Sequence, residues 1–182
     1  MYKIGTVSLG CDKNRIDTEE MLGRLAAAGY GFTADAADAD VIVVNTCAFI
    51  DKAKEEAIST VLEMAEYKKN GKCRYLIVTG CLPQRYADEL AEGLPEADAF
   101  LGTAGYDRLP EVIDRLDRGE RGIVLRNDKD DRCPVAPRIL TTPEHYAYIK
   151  IAEGCSNRCT YCAIPSISCL LYTSTLPTIL RV

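Results

Sequence analysis

Six of the nine cysteines in this 182-residue chain fall into two groups of three, and each group could bind an iron–sulfur cluster. The compact group comprises Cys155, Cys159 and Cys162, which follow one another in the spacing C-x3-C-x2-C. Three thiolates can bind three irons of a four-iron cluster, which leaves the fourth iron open to bind and activate another molecule. The compact group therefore predicts a reactive iron–sulfur site.

The spacing of the compact group leaves other uses of these thiols open. Structural zinc usually takes four ligands, and the only histidine, His145, lies upstream of the group. Disulfides are disfavoured because the sequence shows no charged and then apolar leader of the secretory type, so we expect a cytoplasmic protein with reduced thiols. Incidental cysteines are the third alternative.

The second group, which we call the spread group, comprises Cys11, Cys47 and Cys81, and each of them directly follows a short apolar run. If these runs are parallel strands, their carboxyl ends lie at one edge of the sheet, where ligands of such sheets bind. The three thiols then converge despite their separation in sequence, and they predict a second cluster site. The alternative is that all three are small buried residues of the core.

Alternating strand and helix patterns over residues 1–126 predict the elements that position the spread group. The continuous β-branched run over residues 41–44 is typical of a strand buried on both faces of a parallel sheet. Strands are predicted over residues 3–9, 41–44, 75–78, 99–101 and 122–125, and helices over residues 17–28, 51–69, from 83 onwards and over 107–116. The inward face of the second helix is predicted to carry Ala57, Ile58, Val61, Leu62 and Ala65. This order predicts the fold class α/β, with a parallel sheet flanked by helices.

Residues 127–145 differ from what precedes them. They contain the charge run 128–131 and three prolines, which is typical of a linker. Residues 146–151 alternate again and predict a strand that leads directly into the compact group. Cys73 and Cys133 belong to neither group, and we interpret both as ordinary cysteines.

Composition and charge argue against several functional classes. The net charge of −5 and the dispersed lysines and arginines do not indicate direct nucleic-acid binding by this region. No apolar stretch approaches the ~20 residues that a membrane span requires, so we expect no membrane segment. The motifs G-x-G-x-x-G and G-x-x-x-x-G-K-[ST] are absent, so nucleotide binding of those two kinds is not indicated.

The two cysteine groups also carry a family resemblance. The sequence Cys155-x-x-x-Cys159-x-Tyr161-Cys162 resembles the radical S-adenosylmethionine signature, and three further motifs are Ser8-Leu9-Gly10-Cys11-Asp12-Lys13-Asn14, Val44-Asn45-Thr46-Cys47 and Val78-Thr79-Gly80-Cys81. Together they resemble the radical S-adenosylmethionine methylthiotransferases. The opening motif and residues 143–151 are most similar to the RimO type rather than to the tRNA-modifying MiaB type. The resemblance covers residues 1–167.

The resemblance implies two [4Fe-4S] clusters and S-adenosyl-L-methionine as cofactors. It implies an auxiliary cluster bound by Cys11, Cys47 and Cys81 on an N-terminal α/β domain, residues 1–126. A linker, residues 127–145, then leads to residues 146–167, the first strand and cluster loop of a truncated radical S-adenosylmethionine partial (β/α) barrel. There Cys155, Cys159 and Cys162 would bind the radical cluster, and Tyr161 would lie against the adenine.

The activity implied is addition of a methylthio group to the β-carbon of an aspartate in a small-subunit ribosomal protein, with electrons from a protein such as flavodoxin. Residues 168–182, including Cys169, depart from the family pattern, and we interpret them as a non-native tail. The chain by itself is expected to be inactive, because only the first barrel strand is encoded. A tRNA methylthiotransferase and a non-catalytic iron–sulfur or zinc-binding module are the alternatives.

Overall fold

Six parallel strands form the central sheet in the computed structural model of the chain, which describes residues 1–126 and 137–168 and the backbone of residues 172 and 173. In chain order the strands are β1 (Lys3–Ser8), β2 (Gly31–Thr33), β3 (Val41–Thr46), β4 (Tyr75–Gly80), β5 (Ala99–Leu101) and β6 (Ile123–Leu125). They lie side by side in the order β2-β1-β3-β4-β5-β6, and every neighbouring pair is parallel. The predicted α/β fold class is therefore confirmed.

Helices connect the strands and cover both faces of the sheet. They are α1 (Asp12–Ala27), α2 (Asp51–Asn70), α3 (Cys81–Gly93) and α4 (Leu109–Asp117), and the short α5 (Ile164–Ile167) follows the compact group. Because successive side chains of a strand point to opposite faces, Ile42 and Val44 pack with α2 and α3, whereas Val41 and Val43 pack with α1 and α4. Each fully buried aliphatic side chain of this kind stabilises the fold by about 1.5–3 kcal/mol.

The first two helices differ in detail from their predictions. Helix α1 begins at Asp12 rather than at residue 17. Its first turn packs on the sheet domain, since the Asn14 side chain in that turn is buried and only 2% exposed. Helix α2 buries Ala57, Val61 and Ala65 as predicted. The prediction for its remaining inward positions is wrong, since Ile58 is 37% and Leu62 is 43% exposed. The buried face of α2 is therefore narrower than the apolar face that the sequence predicts.

Strand β2 was not predicted from the sequence. It has three residues, lies at the edge of the sheet beside β1, and contains the exposed Phe32. An edge strand this short cannot show the alternation by which longer strands are recognised.

The segment after the linker does not form the predicted strand. Residues 146–151 have no strand partner within the described ranges, and Ile149 and Ile151 are 73% and 64% exposed. The observed strand is instead β7 (Ala152–Glu153), which pairs antiparallel with β8 (Tyr172–Thr173). The prediction for 146–151 is wrong because an alternating pattern cannot form a strand without a hydrogen-bonded neighbour.

Beyond residue 126, the structure describes residues 137–168 and the backbone of residues 172 and 173. The charge run 128–131, Cys133 and Cys169 lie outside the described residues. Helix α5 packs back on the sheet domain, where Ile167 is buried and its carbonyl oxygen accepts a hydrogen bond from Thr103 Oγ1 at 3.0 Å. Among the helices described, none is long and apolar enough to cross a membrane.

Candidate functional site

The three cysteines of the spread group lie at the carboxyl ends of three adjacent strands. Strands β1, β3 and β4 are neighbours in the parallel sheet, so the chain leaves all three at the same edge. Cys11, Cys47 and Cys81 line one cavity at this edge, with a volume of about 550 Å³. The predicted convergence of these residues on a common space is therefore observed.

Two of the three sulfurs contact the same atom. The Sγ atoms of Cys11 and Cys81 lie 3.8 Å and 4.0 Å from Oδ1 of Asn14. The distance between the two sulfurs therefore cannot exceed the sum of these two distances. Cys47 belongs to the neighbouring loop, and a Cβ added to Gly10 would lie only 2.6 Å from Cys47 Cβ. The three loops are thus in mutual contact around the cavity.

Glycine precedes two of the three spread-group cysteines for a structural reason. Gly10 and Gly80 have φ angles of +92° and +100°, in the left-handed region that side chains other than glycine rarely adopt. A Cβ on Gly80 would also overlap Oδ1 of Asn45 and lie 2.5 Å from the carbonyl oxygen of Thr46. The Gly-Cys pairs therefore let two strand ends turn sharply while the neighbouring loops approach closely.

The cavity places the thiols in an electrostatically mixed environment. The pKa of the Cys81 thiol is raised to about 12, mainly by burial; the ammonium of Lys13 opposes this shift, and the nearby thiols of Cys47 and Cys11 add to it. Cys11 is the N-cap of α1 and Cys81 is the first residue of α3. Two helix N-termini, which carry partial positive charge, therefore face the cavity together with Lys13.

Two other parts of the chain form the rest of the cavity wall. Apolar side chains from the start of α2 and from α5 cover the thiols, and the strand that precedes the compact group closes one side. The lining residues besides the cysteines are Gly10, Lys13, Asn14, Phe49, Ile50, Ala53, Ala152, Glu153, Gly154, Ile164, Ile167 and Ser168. The cavity thus lies between the sheet edge and the segment that carries the compact group.

A cluster of charges around the buried Asp17, which also comprises the partly buried Lys13, Lys150 and Glu153, joins these two parts of the chain. Asp17 receives Lys13 Nζ at 2.7 Å and Lys150 Nζ at 2.8 Å, and Glu153 receives the same two ammonium groups at 3.2 Å and 3.5 Å. Burial alone lowers the pKa of Lys13 and of Lys150, but the carboxylates outweigh it and raise both pKa values. We refer to these four residues as the charge cluster, which the sequence analysis did not identify.

A second buried carboxylate anchors the residues that follow the linker. Glu19 is 1% exposed, and it accepts hydrogen bonds from the backbone N–H and the hydroxyl of Thr141 at 2.8 Å and 3.0 Å, and from the Arg138 guanidinium. Burial raises the pKa of Glu19, but these donors outweigh it, and the net shift is downward. Helix α1 therefore binds the later part of the chain at two places, through Glu19 at residues 138–141 and through Asp17 at Lys150.

The compact group lies on a turned loop beside the cavity. Gly154 lines the cavity, whereas Cys155 and Cys162 are half-buried and Cys159 is exposed. The loop adopts left-handed conformations at Gly154 and Arg158, and the N–H of Cys162 donates to the carbonyl oxygen of Cys159 at 3.0 Å. The ring of Tyr161 is 90% exposed.

Neither cysteine group forms a ready ligand set for a single metal ion. Across the described residues, no three His, Cys, Asp or Glu side chains are grouped closely enough to hold one ion. The thiols of the spread group instead line a cavity with room for a multi-atom group, which fits a cluster better than one zinc ion. The role of both groups as cluster ligands stays a prediction.

Two other residues singled out in the sequence are placed away from the cavity. His145 is exposed and stacks at an angle against Tyr146, with a centroid distance of 5.1 Å. Cys73 is buried, its Sγ donates to the carbonyl oxygen of Tyr75 at 3.4 Å, and burial raises its pKa to about 11. The buried position of Cys73 agrees with its interpretation as an ordinary cysteine.

Comparison with known proteins identifies the family. Residues 3–102 match the family described as "Uncharacterized protein family UPF0004", which covers the sheet from β1 to β5. The chain therefore belongs to this family.

Named relatives are also similar to the chain. It is 55% identical over 169 residues to the ribosomal protein uS12 methylthiotransferase RimO of Caldicellulosiruptor saccharolyticus, an alignment that covers 92% of this chain and 38% of that protein. Proteins of the same name from Heliobacterium modesticaldum and Clostridium botulinum are each 53% identical, over 91% of this chain and 36% and 37% of their own length. The resemblance to RimO-type methylthiotransferases is thus confirmed, and the chain spans little more than a third of these relatives.

Proposed function

We propose that this chain provides the auxiliary cluster site, and the first part of the radical S-adenosylmethionine site, of a methylthiotransferase that acts on ribosomal protein uS12. The observation that carries the proposal is the convergence of Cys11, Cys47 and Cys81 on one cavity at the carboxyl edge of the sheet. The names of relatives that are more than 50% identical supply the reaction and the substrate.

The cofactors would supply the reaction chemistry, and the chain would hold and shield them. When bound, two [4Fe-4S] clusters and S-adenosyl-L-methionine supply one-electron reduction and the sulfur and methyl groups to be transferred. The thiols of the spread group would hold one cluster, and Cys155, Cys159 and Cys162 the other. Phe49, Ile50 and Ile167 would exclude water from the first site.

The charges around the cavity suit a negatively charged group. Lys13 and the N-termini of α1 and α3 offset the charge of thiolates, which a cluster requires in place of neutral thiols. The exposed ring of Tyr161, beside Cys162, is free to lie against a planar base such as adenine. We further propose a division into a cluster domain (1–126), a linker (127–145) and the start of a barrel (146–167), acting in the cytoplasm with a reductant protein such as flavodoxin.

A chimaera tests this proposal. Residues 1–167 replace the matching part of the Caldicellulosiruptor relative, and the product is incubated anaerobically with reductant, S-adenosylmethionine and uS12. We expect a methylthio mass gain on uS12, and its loss when Cys11, Cys47 and Cys81 are changed to alanine. This chain alone serves as the control and is expected to transfer nothing.

Two results would contradict the proposal. A folded chimaera that modifies tRNA but not uS12 would favour the alternative tRNA methylthiotransferase. Transfer that is unaffected by the triple cysteine substitution would show that the spread group is not a cofactor site.

A further inference from the structure

One buried amide side chain contacts all three loops that carry the spread group. Asn14 lies in the first turn of α1 and is 2% exposed. Its Nδ2 donates to the carbonyl oxygen of Leu9 at 2.9 Å and to that of Thr46 at 3.0 Å. Leu9 stands two residues before Cys11, and Thr46 directly precedes Cys47.

The orientation of the Asn14 amide follows from its partners. A carbonyl oxygen can only accept a hydrogen bond, so the group that faces Leu9 and Thr46 must be the NH₂. The oxygen Oδ1 is therefore turned towards the thiols, 3.8 Å from Cys11 Sγ and 4.0 Å from Cys81 Sγ. Both N–H groups of the amide are thus used by the loops that precede Cys11 and Cys47.

The backbone of Asn14 is itself fixed by neighbouring side chains. Its carbonyl oxygen accepts hydrogen bonds from Asn45 Nδ2 and from Thr18 Oγ1, both at 2.9 Å. Asn45 Nδ2 also donates to Thr18 Oγ1 at 3.0 Å. The backbone of Asn14 is thus held in place by two donors, and its side chain is held by its bonds to the loops that precede Cys11 and Cys47.

We propose that Asn14 is a positioning residue for the spread-group site, which links the loops of Cys11 and Cys47 through its N–H groups and sets them opposite Cys81. The inference rests on the proposed function, because it assigns Asn14 to a cluster site. Partners of this kind, which orient the ligands of a metal without binding it, typically contribute ten- to a hundredfold to metal affinity.

Iron retention tests the role of Asn14 towards the cluster. The full chain with Cys155, Cys159 and Cys162 changed to alanine is reconstituted anaerobically, so that retained iron reports on the spread group alone. We expect Asn14→Ala to retain iron against a chelator about tenfold more weakly and to alter the spectrum of the cluster. The matched control is Tyr106→Phe, which removes a buried hydroxyl that donates to Glu20 at 2.9 Å and does not line the cavity.

Cross-linking of the metal-free thiols tests the same geometry without any cluster. A short bifunctional thiol reagent should join Cys11 to Cys81 in the parent chain, and several-fold more slowly in Asn14→Ala and in Asn14→Asp, which keeps the size of the side chain but loses both donors. Tyr106→Phe should react at the parent rate. If the parent retains no iron, the proposed function fails, and cross-linking alone then decides the role of Asn14. Equal cross-linking rates in the folded Asn14 variants and in the parent would overturn the inference.

Discussion

At the residue scale, Glu19 and Gly23 show how helix α1 accommodates the returning chain. Glu19 gathers donors from Arg138 and Thr141, and its own carbonyl oxygen accepts the N–H of Ile139 at 3.1 Å. One turn later, Gly23 lies directly beneath Pro137. Both residues contact the segment 137–141. Glu19 binds it by hydrogen bonds, and Gly23, which has no side chain, lets the backbone of that segment approach α1 closely.

Replacing Glu19 should weaken the protein in a pH-dependent way. The variant Glu19→Gln loses the ion pair with Arg138, and we expect the free energy of unfolding at pH 7 to fall by about 1–3 kcal/mol. Because the pKa of Glu19 is lowered in the folded state, its contribution is complete above the ordinary value of 4.5 and is lost as the pH falls through the folded-state pKa. Urea unfolding of both proteins from pH 7 to pH 3 should therefore converge on the acid side.

The exposed Glu144 offers a control for this measurement. Glu144→Gln should unfold like the parent throughout the same pH range. A Glu19→Gln variant that is equally stable at pH 7 would contradict the structural role assigned to Glu19.

Replacing Gly23 should displace the segment that crosses it. A Cβ at this position would overlap the carbonyl oxygen of Pro137 and lie 2.6 Å from its carbonyl carbon. Backbone cannot yield as a flexible side chain can, so we expect Gly23→Ala to cost about 1–3 kcal/mol in urea unfolding and to speed proteolysis within 137–142.

Gly93 provides the comparison for Gly23. It lies at the end of α3, where an added Cβ meets nothing within 4 Å. Gly93→Ala should be neutral or slightly stabilising, because alanine restricts the unfolded chain. If the two alanine variants behaved alike, the close approach at Gly23 would be incorrect.

At the scale of elements, helix α1 connects the two cysteine groups. Its N-terminus begins at Cys11, and its buried Asp17 binds Lys150, which lies shortly before the compact group. Glu153, two residues before Cys155, binds both Lys150 and Lys13. The charge cluster therefore fixes the entry of the compact group relative to the cavity of the spread group.

Removing one charge should loosen this connection. In Lys150→Met, Asp17, Glu20 and Glu153 lose a partly buried cation, which is costly because the remaining carboxylates are left poorly paired. We expect amide exchange over the described residues 150–155 to quicken about tenfold, which corresponds to about 1.4 kcal/mol. Adding Asp17→Asn to this variant should speed exchange further, because Asp17 also binds Lys13, but by less than the two single effects added, because the Lys150–Asp17 contact counts in both.

The surface pair of Lys72 with Asp38 serves as the control, because Lys72 is largely exposed. Lys72→Met should leave exchange over residues 150–155 unchanged. Exchange that stays slow in Lys150→Met would mean that the compact group is held by other contacts.

The elements also show where sequence reasoning succeeds. The buried strands β3 and β4 were predictable because a continuous β-branched run has few other uses, and their parallel order placed Cys47 and Cys81 at one edge. The predicted strand over residues 146–151 is wrong because its pattern says nothing about a pairing partner. The structural roles of Asn14 and the charge cluster were missed because polar and charged residues are ordinarily assigned to solvent, and only tertiary contacts reveal their partners.

At the scale of the whole molecule, a parallel sheet turns three distant sequence positions into one site. Each strand carries its cysteine to the same edge, and the segment after the linker covers that edge with α5 and β7. The fold thus supplies a partly enclosed space lined by thiols and by apolar side chains. This is the arrangement that an oxygen-sensitive cluster needs, since the hydrophobic shell around such a site controls solvent access.

The most direct test of this account is the iron content of three forms of the chain after anaerobic reconstitution with iron and sulfide. The forms are the parent, a variant with Cys11, Cys47 and Cys81 changed to alanine, and a variant with Cys155, Cys159 and Cys162 changed to alanine. We predict that the last form keeps about four irons per chain with the spectrum of a four-iron cluster, and that the spread-group variant loses those irons. Iron content that is unchanged by the spread-group substitutions, or a single tightly bound zinc in place of iron, would contradict the account.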